Sequence, residues 1–243
     1  MEITPLGDST LIVRVRDRFD DAREKTLDEV LRVFQQLKRA KIPGVIELAP
    51  AYTTVAVFFD PVAIVEAGAK PDQVLDWLTN RIRAAVAGIA DPGHNRGAQP
   101  RLIEIPVCYD AEFAFDLDDV ARHTQLAPQK VVGLHSAAEY RVGCIGFTPG
   151  FPFLAGLPKE LATPRRAIPR KEIAAGSVGI GGAQTGIYPL RSPGGWNIIG
   201  RTPVRLFDPA KNPPTLLRTG DRVRLRAITR REFDALKSQS LNC

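Results

Sequence analysis

The chain reads as α+β, with a small N-terminal α+β domain over residues 1–92 and a β-rich domain over residues 93–243. Three observations carry that reading. Residues 10–86 alternate short apolar β-type runs with two amphipathic helical stripes. Residues 88–100 (GIADPGHNRGAQP) are polar and turn-rich, which marks a boundary. After Arg141 the pattern becomes short β-type runs broken by Gly and Pro about every ten residues, the spacing of a compact barrel or sandwich.

Thr10–Val15 (TLIVRV) is the first expected strand. Asp21 is placed to cap a helix, with Glu24 three residues on as in a capping box, and Leu27, Val30, Leu31, Phe34 and Leu37 then share one face. Val45–Leu48 and Thr53–Phe59 read as two short strands joined around Pro50. Pro71 opens a second helix with the stripe Val74, Leu75, Leu78, Ile82 and Val86. Two helices on one face of a small antiparallel sheet form a layer close to a split βαβ arrangement. Past the boundary, Arg101–Val107 alternates as a strand. Leu117–His123 and Pro128–Ser136 read as short helices, and Arg222–Ile228 as the last strand.

Of the 243 residues, 44% are hydrophobic and 25% charged, the composition of an ordinary globular protein with a real core. No apolar run reaches membrane-span length, and MEITPLGDST lacks a basic stretch followed by an apolar one, so a cytoplasmic location is expected. Cys108, Cys144 and Cys243 are too few and too unpatterned for a disulfide framework or zinc site, and no metal is expected. Cys144 admits two readings, a buried structural thiol or a reactive one.

The net charge of +6 is uneven. Residues 1–98 hold 13 Lys/Arg and 14 Asp/Glu, whereas Tyr140–Phe207 holds nine cations and only Glu160 and Glu172 as acids. The same region carries 12 of the 20 glycines between Gly143 and Gly200, with Phe147, Phe151, Phe153, Tyr188 and Trp196 among them. Glycine in a strand costs entropy and packs nothing, so this density implies backbone approached closely by a ligand or a partner. A local positive field argues for an anionic ligand.

The candidate chemistry is one of binding. The only histidines are His94, His123 and His135, and no Gly-x-Ser-x-Gly elbow exists. His135 is the best placed catalytic candidate, set against the alternative of a satisfied core histidine. GSVGIGG (176–182) lacks the Lys-Ser/Thr ending of a phosphate loop, and Gln184 takes the place of a third spaced glycine; a tight turn and a ligand cradle both remain open. Arg165, Arg166, Arg170 and Lys171 lie in TPRRAIPRK, stiffened by Pro164 and Pro169, and Arg191 and Arg201 flank SPGGW. Arginine pairs donors onto carboxylate or phosphate, so this set is a candidate anion clamp, against the alternative of a solvated basic face. DDVARHTQLAPQKVVGLHSA has the cadence of a helix-turn-helix, but its second helix offers only Gln129, Lys130 and His135 as polar groups, and nucleic acid is not expected as a partner.

GFTPGFPFLAGLP, TPRRAIPR, AAGSVGIGGAQTGIYPLRSPGGWNIIGRTP and LFDPAKNPPTLLRTGDRVR resemble the family of bacterial 5-oxoprolinase B subunits, also named allophanate hydrolase subunit 1 and including the kinase inhibitor KipI. The resemblance covers nearly the whole chain, with a divergent N-terminal third. It implies a cyclophilin-like β-barrel after the α+β domain. It also implies partnership with a C-type subunit, the two forming halves of a carboxyltransferase-like domain. Together with an A-type subunit, this pair would cleave 5-oxo-L-proline to L-glutamate at the expense of ATP, shared with or bound by the partner subunits. The resemblance supports the location of the site. From side-chain chemistry, Arg165, Arg166, Arg170 and Arg201 would hold substrate oxyanions, Gln184 and Tyr188 would bond the amide, and Phe147, Phe151 and Trp196 would wall off water. Gly176, Gly179, Gly181, Gly182, Gly194 and Gly195 would let backbone approach a ligand or partner. The alternatives are a KipI-like inhibitor of a sensor histidine kinase, using the same face for docking, and a subunit of an allophanate- or urea-processing amidohydrolase. A prolyl isomerase would rest on the barrel alone, which does not give function.

Overall fold

The computed structural model describes residues 1–18, 23–87 and 100–241. They divide into two compact units, with the division between Gln99 and Pro100. Asp21, most of the 88–100 stretch, His94 and Cys243 lie outside the described residues.

The first unit contains β1 (Glu2–Pro5), β2 (Thr10–Arg14), α1 (Arg23–Ala40), β3 (Val45–Ala51), β4 (Thr54–Phe59), α2 (Pro61–Glu66) and α3 (Val74–Val86). The sheet order is β1-β2-β4-β3, antiparallel throughout. Because β2 and β3 each run antiparallel to β4, they are parallel to one another, with α1 as their crossover. This is the split βαβ arrangement. Leu11, Val13, Val55, Val57 and Phe59 from the sheet pack with Val30, Val33 and Leu37 of α1 and Leu78 and Ile82 of α3. Val33 is buried where the stripe was expected to use Leu31 and Phe34, which are half-buried. Helix α2 was not anticipated. It is one short turn set by Pro61 and by Asp60, whose side chain accepts from the Val62 and Ala63 N–H groups at 2.8 and 3.3 Å.

The second unit contains β5 (Leu102–Cys108), α4 (Leu117–Thr124), α5 (Pro128–Ala137), β6 (Glu139–Ile145), β7 (Pro152–Ala155), β8 (Arg170–Ile173), β9 (Ser177–Gly181), β10 (Gln184–Ile187), β11 (Ser192–Gly194), β12 (Asn197–Arg201), β13 (Arg222–Ile228) and α6 (Arg230–Leu241). Seven strands close into a barrel in the order β10-β7-β6-β13-β5-β12-β9, sealed by β9 against β10. The β5–β13 pair is parallel over seven residues, Arg222↔Leu102 to Ile228↔Cys108, and joins chain segments far apart in sequence. Ile105, Val107, Val142, Leu154, Val178, Ile180, Ile187, Ile199, Val223 and Leu225 share the barrel core with Val120 of α4 and Val131 of α5.

Strands β5 and β13 alternate in burial as a one-sided strand should, but β9 is buried along its whole length and β12 up to Ile199 and Gly200. The reason is a second apolar cluster, separate from the barrel core: Phe151, Ile173, Tyr188, Trp196 and Ile198. The two-stranded ribbon of β8 and β11 contributes Ile173 to it. This covered side carries the segment rich in glycine, aromatics and arginine.

Candidate functional site

Trp196 fixes much of the local sequence. A Cβ at Gly181 would lie 2.6 Å from its ring, and one at Gly179 would lie 3.2 Å from its Cβ. At Gly194 an added Cβ would meet the Tyr188 hydroxyl at 2.3 Å, and at Gly176 the Thr202 carbonyl at 2.4 Å. The glycines at 176, 179, 181 and 194 are therefore filled by the protein's own atoms. That corrects the expectation of a backbone cradle for a ligand. Gly195 has only ordinary contact with Pro169, and Gly182 faces open space. GSVGIGG is a strand and turn: the Gly182 N–H donates to the Thr163 carbonyl at 2.7 Å, and residues 178–181 pair with β10 and β12. It does not fit a nucleotide phosphate.

The aromatics form a packed layer. Phe151 meets Tyr188, Trp196 and Phe153 at centroid distances of 5.1, 5.5 and 4.8 Å. Phe151, Tyr188 and Trp196 are buried, so they support the face from below and do not line a ligand site as expected. Burial pushes the Tyr188 phenol up in pKa. Phe147 is the exception. It stands 62% exposed on the turn between β6 and β7, in the left-handed region at φ 65°, with its ring edge-on to Phe151 and Tyr188. A bulky residue held there stores backbone strain, a feature that clusters at working surfaces.

The arginines do not form one clamp. Arg166 and Arg170 converge on Asp116, a residue that sequence reasoning missed. Its carboxylate is 1% exposed and accepts from Arg166 Nη1 at 2.6 Å, Arg170 Nη1 and Nη2 at 2.7 Å each, and the Ile198 N–H at 2.7 Å. The Asp116 N–H returns a bond to the Ile198 carbonyl at 2.8 Å, so the start of α4 is stitched to β12. The hydrogen bonds to Asp116 hold the Arg170 guanidinium above its ordinary pKa. Arg165 stacks on Trp196 at 5.8 Å. Arg201 donates Nε to the Ala175 carbonyl at 3.0 Å, lies 5.7 Å from the Phe113 ring, and is lowered in pKa by burial. A surface depression of about 400 Å³ is lined by His123, Thr163, Pro164, Arg165, Arg166, Ala167, Ile168 and Asn197. Gln184 is half-buried in β10 and is not among the residues that line it.

His135 is corrected outright as a catalytic candidate. It is fully buried on α5, with Nδ1 2.8 Å from the Tyr109 hydroxyl and Nε2 2.9 Å from Thr185 Oγ1. The Thr185 hydroxyl donates its hydrogen to the Gly179 carbonyl at 2.9 Å, so Nε2–H is the donor to Thr185 and Nδ1 accepts from Tyr109. Burial lowers the ring pKa to about 3. Cys144 is half-buried, and burial raises the pKa of its thiol, which favours the structural reading over a reactive one. Among the described residues no group of three or more His, Cys, Asp or Glu could hold a metal, and no helix is long and apolar enough to cross a membrane.

The family model for the carboxyltransferase domain, subdomains C and D, matches residues 1–217. The 5-oxoprolinase B subunit of Bacillus subtilis (strain 168) is 40% identical over 239 residues, which is 98% of each chain. The chain belongs to the family of 5-oxoprolinase B subunits. The solved structure of TTHA0988 is 35% identical with a TM-score of 0.70; the match takes in 90% of this chain and 40% of that one. The Kluyveromyces lactis urea amidolyase shares the fold, with a TM-score of 0.73 at 20% identity over 98% of this chain and 15% of its own. As a member of the 5-oxoprolinase B family, the chain is kin to proteins named as parts of an enzyme with several subunits.

Proposed function

We propose that this chain is the B subunit of an ATP-dependent 5-oxoprolinase, and that it supplies half of a composite site completed by a C-type subunit. The observation that carries the reading is the 40% identity along 98% of a protein of that name. In the proposed reaction 5-oxo-L-proline, ATP and water would give L-glutamate, ADP and phosphate, the lactam carbonyl being activated at the expense of ATP before water opens the ring. Because the 176–182 segment does not fit a nucleotide phosphate, nucleotide binding is assigned to the partner subunits.

The chain's own contribution is binding and enclosure. Arg166 and Arg165, on the wall of the depression, would hold an oxyanion of the small anionic substrate. The exposed Phe147 and Ile168 (62% and 80%) would be buried by the partner, removing water from the site. Ile168 lines the depression with Arg165 and Arg166, whereas Phe147 stands against Phe151 and Tyr188; aromatic and arginine side chains are both enriched in such interfaces.

Co-expression with the C and A homologues tests this. The isolated chain should show no 5-oxoproline-dependent ATP hydrolysis, and the assembled complex should release glutamate. Turnover by the isolated chain would contradict the half-site.

A further inference from the structure

A single bidentate arginine is enough to satisfy a buried carboxylate, yet Asp116 accepts from the bidentate Arg170 and from Arg166 Nη1 as well. Asp119, which is exposed, accepts from Arg122 Nη1 at 2.8 Å and lies 4.0 Å from Arg166 Nη1. Three guanidiniums thus face two carboxylates, and one positive charge is left without a counterion inside the cluster. Arg165 adds a further cation beside it, on Trp196, and the exposed His123 faces the same depression. The Arg166 Nε–H is buried and has no acceptor among the described residues. Crowding two guanidiniums on one acid costs stability through their repulsion, and a cost of that kind is what a preformed anion subsite carries.

We propose that Asp116 is a positioning residue that holds Arg166 and Arg170 as a preformed oxyanion subsite, and that Arg166 presents the surplus charge to the depression for a small carboxylate or phosphate. Asp116 does not touch the ligand; it fixes the two guanidiniums through three short bonds and ties them to the backbone at Ile198. The inference rests on the reading that this face takes the small anionic ligand of the complex. The test uses the isolated chain, so its failure would leave the half-site reading to be judged by turnover in the complex.

Trp196, under Arg165, is a built-in reporter, and Trp77 is the only other tryptophan. In a Trp77→Phe background, fluorescence is titrated with L-5-oxoproline, inorganic phosphate and uncharged 2-pyrrolidinone. A saturable change is expected with at least one oxyanion and none with 2-pyrrolidinone; the oxyanion that binds identifies the source as carboxylate or phosphate. Arg170→Gln keeps a donor for Asp116 and leaves a one-to-one pair with Arg166, so the fold should hold, while the Kd for the oxyanion rises about tenfold or more. Asp116→Asn should abolish the response. If that variant fails to fold, Arg170→Gln decides alone. An unchanged Kd in a folded Arg170→Gln chain, an equal response to 2-pyrrolidinone, or no saturable response to either oxyanion would overturn the proposal.

Discussion

At His135 both ring nitrogens are spent inside the barrel, on Tyr109 and Thr185, and the pKa of about 3 lies far below the ordinary 6.5. The ring is neutral when folded and takes a proton when unfolded below pH 6.5. Its contribution is therefore fully present above pH 6.5 and is lost as pH falls toward 3. By pH 5 the loss amounts to about 2 kcal/mol. Urea denaturation of the isolated chain at pH 7 and pH 5 should show it, and His135→Gln should flatten that part of the slope. Equal slopes in the two proteins would contradict the assignment. Glycine substitutions divide in the same local way. Gly181→Ala drives a methyl into the Trp196 ring and should cost about 1–3 kcal/mol. Gly133→Ala, on α5 with nothing within 4 Å, should be neutral or gain up to about 1 kcal/mol. Thermal melting of the two variants checks both signs.

Secondary structure was legible wherever burial follows a single period. The β5 and β13 alternation appears in the structure much as the sequence spaces it, and so does the apolar stripe of α3 except at Leu75, which is exposed. The α1 stripe is off by one position at Val33. The β9 and β12 strands were illegible because the Trp196 layer buries their second face, which no two-residue alternation reveals. Asp116 was missed for a related reason: it lies 50 residues before Arg166, at the head of the acidic run DLDD, and reads there as a helix start. The available signal was a basic segment almost without acids, whose counterions had to come from another element. Asp116→Ala removes the carboxylate that Arg166 and Arg170 share and should destabilise the chain by about 2–4 kcal/mol, read by chemical denaturation. Phe147→Ala should leave melting within about 0.5 kcal/mol of the parent. Its association with the C homologue, measured by calorimetry, should weaken about tenfold or more. A normal affinity would remove the β6–β7 turn from the proposed interface.

For the molecule as a whole, membership of the 5-oxoprolinase B family and the architecture of a split βαβ layer with a barrel agree. Within the second unit the aromatic layer, the Asp116 cluster and Phe147 all belong to one stretch of chain and its supports. Of the expected four-arginine clamp, Arg165 on Trp196 and Arg166 on Asp116 share one depression, Arg170 joins Arg166 on Asp116, and Arg201 lies beside Phe113. Under the proposed function that arrangement would bind and enclose, which is the part a half-site would supply. The most direct measurement is glutamate release from 5-oxoproline and ATP by the chain alone, by the chain with C and A homologues, and by those homologues without it. Turnover should require this chain and be absent from it in isolation. Full activity of the isolated chain, or of the C and A homologues without it, would contradict the account.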